Sequence, residues 1–231
     1  LEITPHERGI ELLIATYDFP SIFSLLCGTI SSLGMEIESA EIDTVAGESG
    51  GSERKILDRF SGSLPADASL SSFRKRLNER LNALIPPLRE ESGELGVVAA
   101  RRTVNHWVAE ALGGEASASG EVLLPVQLEI DQEEREYTWI ELTAQDTHFF
   151  LYSVATAVAL LGLSIEKVEI TTQEGKIKDR LALLDRERRP IESERVLNRL
   201  RFSILLTKQF TFFLGEAPDP YAAILRFESM I

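Results

Sequence analysis

The sequence predicts an α+β protein built from two copies of one unit. Each copy has the order βαββαβ, a four-stranded antiparallel sheet with two helices on one face, and an extra helix follows it. Three observations predict this. The phrase KILDRF at Lys55 returns as KIKDRL at Lys176. Asp18 and Asp146 lie 128 positions apart, and so do Gly34 and Gly162. Between those landmarks, both copies switch from a strand-like run to an apolar stripe of helical period and back.

In the first copy, Glu11 to Tyr17 reads as a strand ending at Asp18. Ile22, Phe23, Leu25, Leu26, Ile30 and Leu33 then fall on one helical face, which Gly34 ends. A strand from Glu36 to Val45 follows. In the second copy, Glu141 to Gln145 is the strand, and Phe150, Leu151, Val154, Val158 and Leu161 line the helix. Gly162 closes it, and Leu163 to Thr172 is the next strand. Beyond this the spacing falls from 128 to 121, because the first hairpin carries the longer Gly- and Ser-rich loop AGESGGSER. KILDRF and KIKDRL are therefore the third strand of each unit. In each phrase the Asp and the Arg point to opposite faces.

The second helices are read at Ser69 to Leu84, stopped by Pro86-Pro87, and at Glu192 to Leu205. Closing strands are read at Leu95 to Ala100 and Gln209 to Leu214. The extra helices are Val104 to Leu112 and Tyr221 to Met230. Val122 to Ile130 and Glu136 to Gln145 read as strands around an acidic turn. The expected organisation is a first unit with its trailing helix at 1–112, a linker and extra strand at 113–135, a second unit at 136–215, and the start of a further helical region at 216–231.

Composition bounds the function. The chain has 231 residues, 44% hydrophobic and 26% charged, an ordinary globular balance. Its net charge of −13 argues against a nucleic-acid partner, and no apolar run has the length of a membrane span. Arg74 to Arg76 and Arg186 to Arg189 read as solvated faces. The single cysteine, Cys27, reads as a small buried residue, and the expected location is cytoplasmic. The three histidines lack metal-ligand spacing. No phosphate loop, nucleophile elbow or paired-aspartate nucleotidyltransferase cluster is present. No catalytic residue, metal or cofactor is expected, and the chain by itself reads as non-catalytic. Trp107 and Trp139 are expected to pack.

The second copy, YTWIELTAQD through LGLSIEKVEITTQEGKIKDRLALLDRERRPI, resembles the ferredoxin-like ACT domain. It is similar more narrowly to the ACT pair that ends PII uridylyltransferases. The motif there is an E-L-x-A-x-D strand, an L-G-L, an A-x-I-x-T strand, a glycine hairpin, a D-x-F strand and a D-x-x-G-x-P-I tail. Glu141, Leu142, Ala144, Asp146, Gly162, Ile170, Gly175, Asp179, Asp185, Pro190 and Ile191 carry the match. The C-terminal APDPYAAILRFESMI is similar to a helical opening in glutamine synthetase adenylyltransferases, through Asp219, Pro220, Ala223, Phe227 and Glu228.

The resemblance implies a regulatory module of a larger nitrogen-regulation nucleotidyltransferase. A small ligand, glutamine first, would sit where the first strand of a unit meets its first helix, and the C-terminal helix would transmit its effect. A catalytic domain beyond residue 231 and pairing of the units within a chain or in a homodimer are implied as well. The family's D-R-P-G run reads Asp18-Phe19-Pro20-Ser21 in the first copy and Asp146-Thr147-His148-Phe149 in the second. These are the candidate ligand-binding residues, and the first set, with its small Ser21, is the better placed. The alternative is a ligand-free scaffold that dimerises the protein or joins its domains.

Overall fold

The structure is a computed structural model that describes residues 1–6, 9–45, 54–90, 94–113, 126–132, 135–145, 147, 149–173 and 176–231. The first unit contains β1 (Glu2–His6), β2 (Gly9–Tyr17), α1 (Ile22–Ser31), β3 (Glu36–Val45), β4 (Lys55–Ser63) and α2 (Leu70–Glu90). α3 (Glu94–Leu112) follows it. The second contains β5 (Gln127–Asp131), β6 (Thr138–Gln145), α4 (Phe150–Leu160), β7 (Ser164–Gln173), β8 (Lys176–Leu184) and α5 (Glu194–Leu214). α6 (Pro220–Met230) follows it. The long first hairpin, the Glu174-Gly175 turn and most of the expected linker lie outside the described residues.

Two four-stranded antiparallel sheets result, ordered β1-β2-β4-β3 and β5-β6-β8-β7. The repeated phrases are interior strands. Asp58 sits between Ile14 and Ile42, and Asp179 between Leu142 and Ile170. Even the irregularity repeats, a register shift at Ile37/Ser39 and again at Ile165/Lys167. The α+β class and the doubled unit thus agree with the sequence reading.

The chain order of each sheet does not. Leu95 to Ala100 and Gln209 to Leu214 are helix, not closing strands. Gly96, Ala100, Val104, Val108 and Leu112 are buried at every fourth position, so α3 is one continuous apolar stripe. The sheet edge that a closing strand would occupy is taken by β1, paired with β2, and by β5, paired with β6. Each unit therefore runs ββαββα. Pro86 and Pro87 also fail to end α2, which continues to Glu90. Leu84 and Leu88 are both buried in the core across that step, and this packing outweighs the lost backbone bonds.

The units meet along two fronts. Edge strands β3 and β7 lie side by side, and α1 packs on α4. All ten residues of α1 are buried. Gly28 permits this, since a Cβ there would come within 2.4 Å of Val104 on α3 and 2.7 Å of the Tyr152 ring on α4. Polar side chains in α1 bond back to their own helix, Thr29 Oγ1 donating to the Leu25 carbonyl at 2.7 Å. Trp139 is buried, and Trp107 packs half-buried under the Arg80 guanidinium, 4.7 Å away.

Candidate functional site

The loop from β2 to α1 is held by backbone bonds. Asp18 N–H donates to the Arg54 carbonyl at 2.8 Å, and Ile22 N–H to the Phe19 carbonyl at 3.1 Å. Ser21 then enters α1 with φ of 65°, in the left-handed region. Phe149 does the same before α4 with φ of 60°, and Arg188 has φ of 59° after β8. These are the positive-φ non-glycine residues of the described chain. Each stands where the resembled motif has its glycine, in D-R-P-G twice and in D-x-x-G-x-P-I once. The backbone makes the left-handed turn at each without the residue that adopts it most freely.

A cavity of about 540 Å³ opens where the two units meet. Asp18 to Ser24 form one wall, and the first half of α3, from Glu94 to Arg101, another. The second unit supplies the end of α4, the start of β7 and the Asp185 to Arg188 turn. Gly162 is at φ +75°, and a Cβ on it would lie 2.2 Å from Arg186 Nε, so only glycine lets that arginine cross the rim. The first turn of α1 faces the cavity with no side-chain cap and no acidic residue, so its amide dipoles are available to an anion.

Beside the cavity lies an ionic cluster that joins the units. Arg54 Nε is 3.3 Å from Asp18 Oδ2, and Arg54 Nη2 is 2.9 Å from Glu166 Oε2. Arg188 approaches the same two carboxylates, at 2.6 Å from Glu166 and 3.8 Å from Asp18. Burial raises the Asp18 pKa, Arg54 pulls it down, and Glu166 adds to the rise. Under the cluster is a recess of about 20 Å³, room for about one water, bounded by Asp18, Arg54, Glu166 and Asp58. The Asp58 carboxylate is fully buried, and among the described residues both its oxygens lack a hydrogen-bond partner. Burial, with Asp18 second, raises its pKa to about 7. Cys27 is buried, and its thiol pKa is pushed well up by burial and then by Asp58, so it holds its proton.

The structure brings Asp18, Phe19, Pro20 and Ser21 to the cavity wall. Thr147 lies elsewhere, against α5. Its hydroxyl is 3.1 Å from Thr211 Oγ1 and accepts from Lys208 Nζ at 3.1 Å. Lys208 and Phe149 are both buried. Asp146 and His148 lie outside the described residues. Sequence reading missed Arg54, Arg101, Glu166 and Arg188. Two of the three arginines of the 186–189 run that it assigned to solvent, Arg186 and Arg188, border the cavity. Among the described residues, no group of three or more His, Cys, Asp or Glu could hold a metal, and no helix is long and apolar enough to cross a membrane.

Fold and cavity together define a class: a chain of two like α+β units with a cavity of apolar and charged lining where they meet. No family model matches the chain. It is similar to part of the bifunctional uridylyltransferase/uridylyl-removing enzymes. With that of Bradyrhizobium diazoefficiens it shares 28% identity over 173 residues, 74% of this chain and 17% of the relative. With that of Aromatoleum aromaticum it shares 24% over 204 residues, 84% and 21%. With that of Rhodospirillum rubrum it shares 26% over 189 residues, 80% and 18%. The chain thus spans about a fifth of the length of these curated relatives.

Proposed function

We propose that this chain is a regulatory, non-catalytic segment of a nucleotidyltransferase of the uridylyltransferase/uridylyl-removing kind. It binds a free amino acid between its two units, and L-glutamine is the first candidate. The catalytic part would be carried elsewhere on a longer polypeptide. The observation that carries the reading is the cavity of about 540 Å³ at the junction. Its size falls within the roughly 300–1,000 Å³ of small-molecule sites. Its lining carries both signs of charge, as a zwitterion requires. Arg101 and the uncapped start of α1 suit a carboxylate, and Asp18 suits an ammonium group. An occupant touching both units favours one relative orientation of them, and that population shift is the regulatory output.

A second reading, a ligand-free scaffold, draws on the buried Phe149 at the second junction and on the ionic cluster that already ties the units together. Thermal unfolding against free amino acids separates the two. A ligand at 100 times its dissociation constant stabilises by about 2.7 kcal/mol, a rise of about 5–10 °C for a chain of this size. The sensor reading predicts a shift with one amino acid that Asp18→Asn reduces. No shift with any of them supports the scaffold.

A further inference from the structure

Arg101 faces two ways. It borders the cavity, and its Nε also lies 3.5 Å from Glu228 Oε1 on α6. The same carboxylate oxygen accepts from Asn105 Nδ2 at 2.9 Å. Asn105 is fully buried, and its Oδ1 accepts from the Tyr152 hydroxyl on α4. Burial and the nearby Glu228 raise the Tyr152 pKa, so the phenol stays protonated and remains a donor. One carboxylate on α6 therefore gathers α3, which trails the first unit, and through Asn105 reaches α4 of the second. Aromatic stacks also seat α6. Phe227 stacks on Phe210 at 4.3 Å, and Tyr221 stacks on His106 at 3.8 Å.

We propose that Glu228 is a built-in competitor for Arg101. A carboxylate-bearing ligand in the cavity draws the guanidinium away from Glu228, and α6 is the element released. The identity of the ligand rests on the function proposed above; the Arg101–Glu228 contact does not. The physical basis is that a guanidinium pairs best with one carboxylate in a planar, two-bond geometry. Glu228 meets Arg101 at Nε, at 3.5 Å, so a ligand carboxylate that pairs through Nε and an Nη in that geometry takes the edge Glu228 now uses. Coupling is reciprocal, so whatever seats α6 weakens ligand binding by the same factor that ligand loosens α6. Glu228 left without Arg101 still has Asn105, so α6 loosens without the core opening.

The test is amide hydrogen exchange of the 231-residue chain, read over residues 220–230. Arg101→Gln and Glu228→Gln are each expected to speed that exchange about tenfold, from the loss of a charge-assisted contact. The double variant should exchange no faster than the faster single, because both remove the same contact. Exchange over β2 and β4 should stay at the wild-type rate, which distinguishes release of α6 from general unfolding. Wild-type exchange over α6 in Arg101→Gln, additive effects in the double variant, or equal acceleration across the first sheet each overturns the proposal. L-glutamine at 10 mM is then added to the wild type and to Glu228→Gln. Faster α6 exchange with glutamine, and several-fold tighter binding by Glu228→Gln, support the competition. Bound glutamine with unchanged α6 exchange overturns it. If glutamine does not bind, the proposed ligand fails, while the exchange of the variants decides the contact by itself.

Discussion

Asp58→Asn should abolish the fall in stability that Asp58 imposes as pH rises. The Asp58 carboxylate is fully buried with no hydrogen-bond partner among the described residues, and its pKa rises from the ordinary 3.8 to about 7. Below 3.8 both the folded and the unfolded chain hold the proton, and the group contributes no pH dependence. Between 3.8 and about 7 the folded chain keeps the proton and the unfolded chain has lost it, so stability falls as pH rises. Above 7 the penalty is complete and flat. At about 1.36 kcal/mol per pH unit, it reaches roughly 4 kcal/mol. Asparagine has nearly the same shape and cannot ionise. Relative to the parent, the variant should gain about 2.7 kcal/mol between pH 5 and pH 8. Asp18 is also raised, but it is present in both proteins and largely cancels in the difference. Urea unfolding of parent and variant at pH 5, 6, 7 and 8 reads this directly. A stability difference that stays constant across that range, or a parent that is the more stable at pH 8, would refute the assignment of a buried, unpaired carboxylate.

Three further substitutions test other parts of the account. Ser21→Gly removes a side chain from φ of 65° and should stabilise by about 0.5–1 kcal/mol in urea unfolding, once the added backbone entropy of glycine is set against the relieved strain. Gly162→Ala should do the opposite, costing about 1–2 kcal/mol, because the backbone is at +75° and the new Cβ meets Arg186. Tyr152→Phe leaves the buried Asn105 Oδ1 without its donor, and should cost about 1–3 kcal/mol by the same assay.

What was legible in the sequence followed from local periodicity. The stripes of α1 and α4, the interior strands β4 and β8, and the 128-residue offset all rest on patterns within a few turns of chain. The closing strands were misread because Val97, Val98 and the Phe210 to Phe213 run look strand-like over six residues. The buried positions at 96, 100, 104, 108 and 112 show the helix only over a longer window. The strands that do fill the edges gave little signal. β1 buries one of its five residues, and β5 buries none. The candidate site divides the same way. Asp18 to Ser21 were visible as a strand-to-helix junction. The cluster of Asp18, Arg54, Glu166 and Arg188 was not, since it exists only because two units meet edge to edge. Arg188 was hidden twice, by its basic neighbours and by taking a backbone conformation that glycine ordinarily supplies.

The central claim is that the junction cavity holds an amino acid. Calorimetric titration of the chain with L-glutamine tests it most directly, beside Ala159→Trp, which places an indole at the α4 wall of that cavity. The account predicts saturable one-to-one binding to the wild type and its loss in Ala159→Trp, with unchanged thermal unfolding of the unliganded variant. Binding that survives the indole would place the ligand elsewhere. No heat of binding with L-glutamine or with any other free amino acid would contradict the sensor and leave the chain a scaffold.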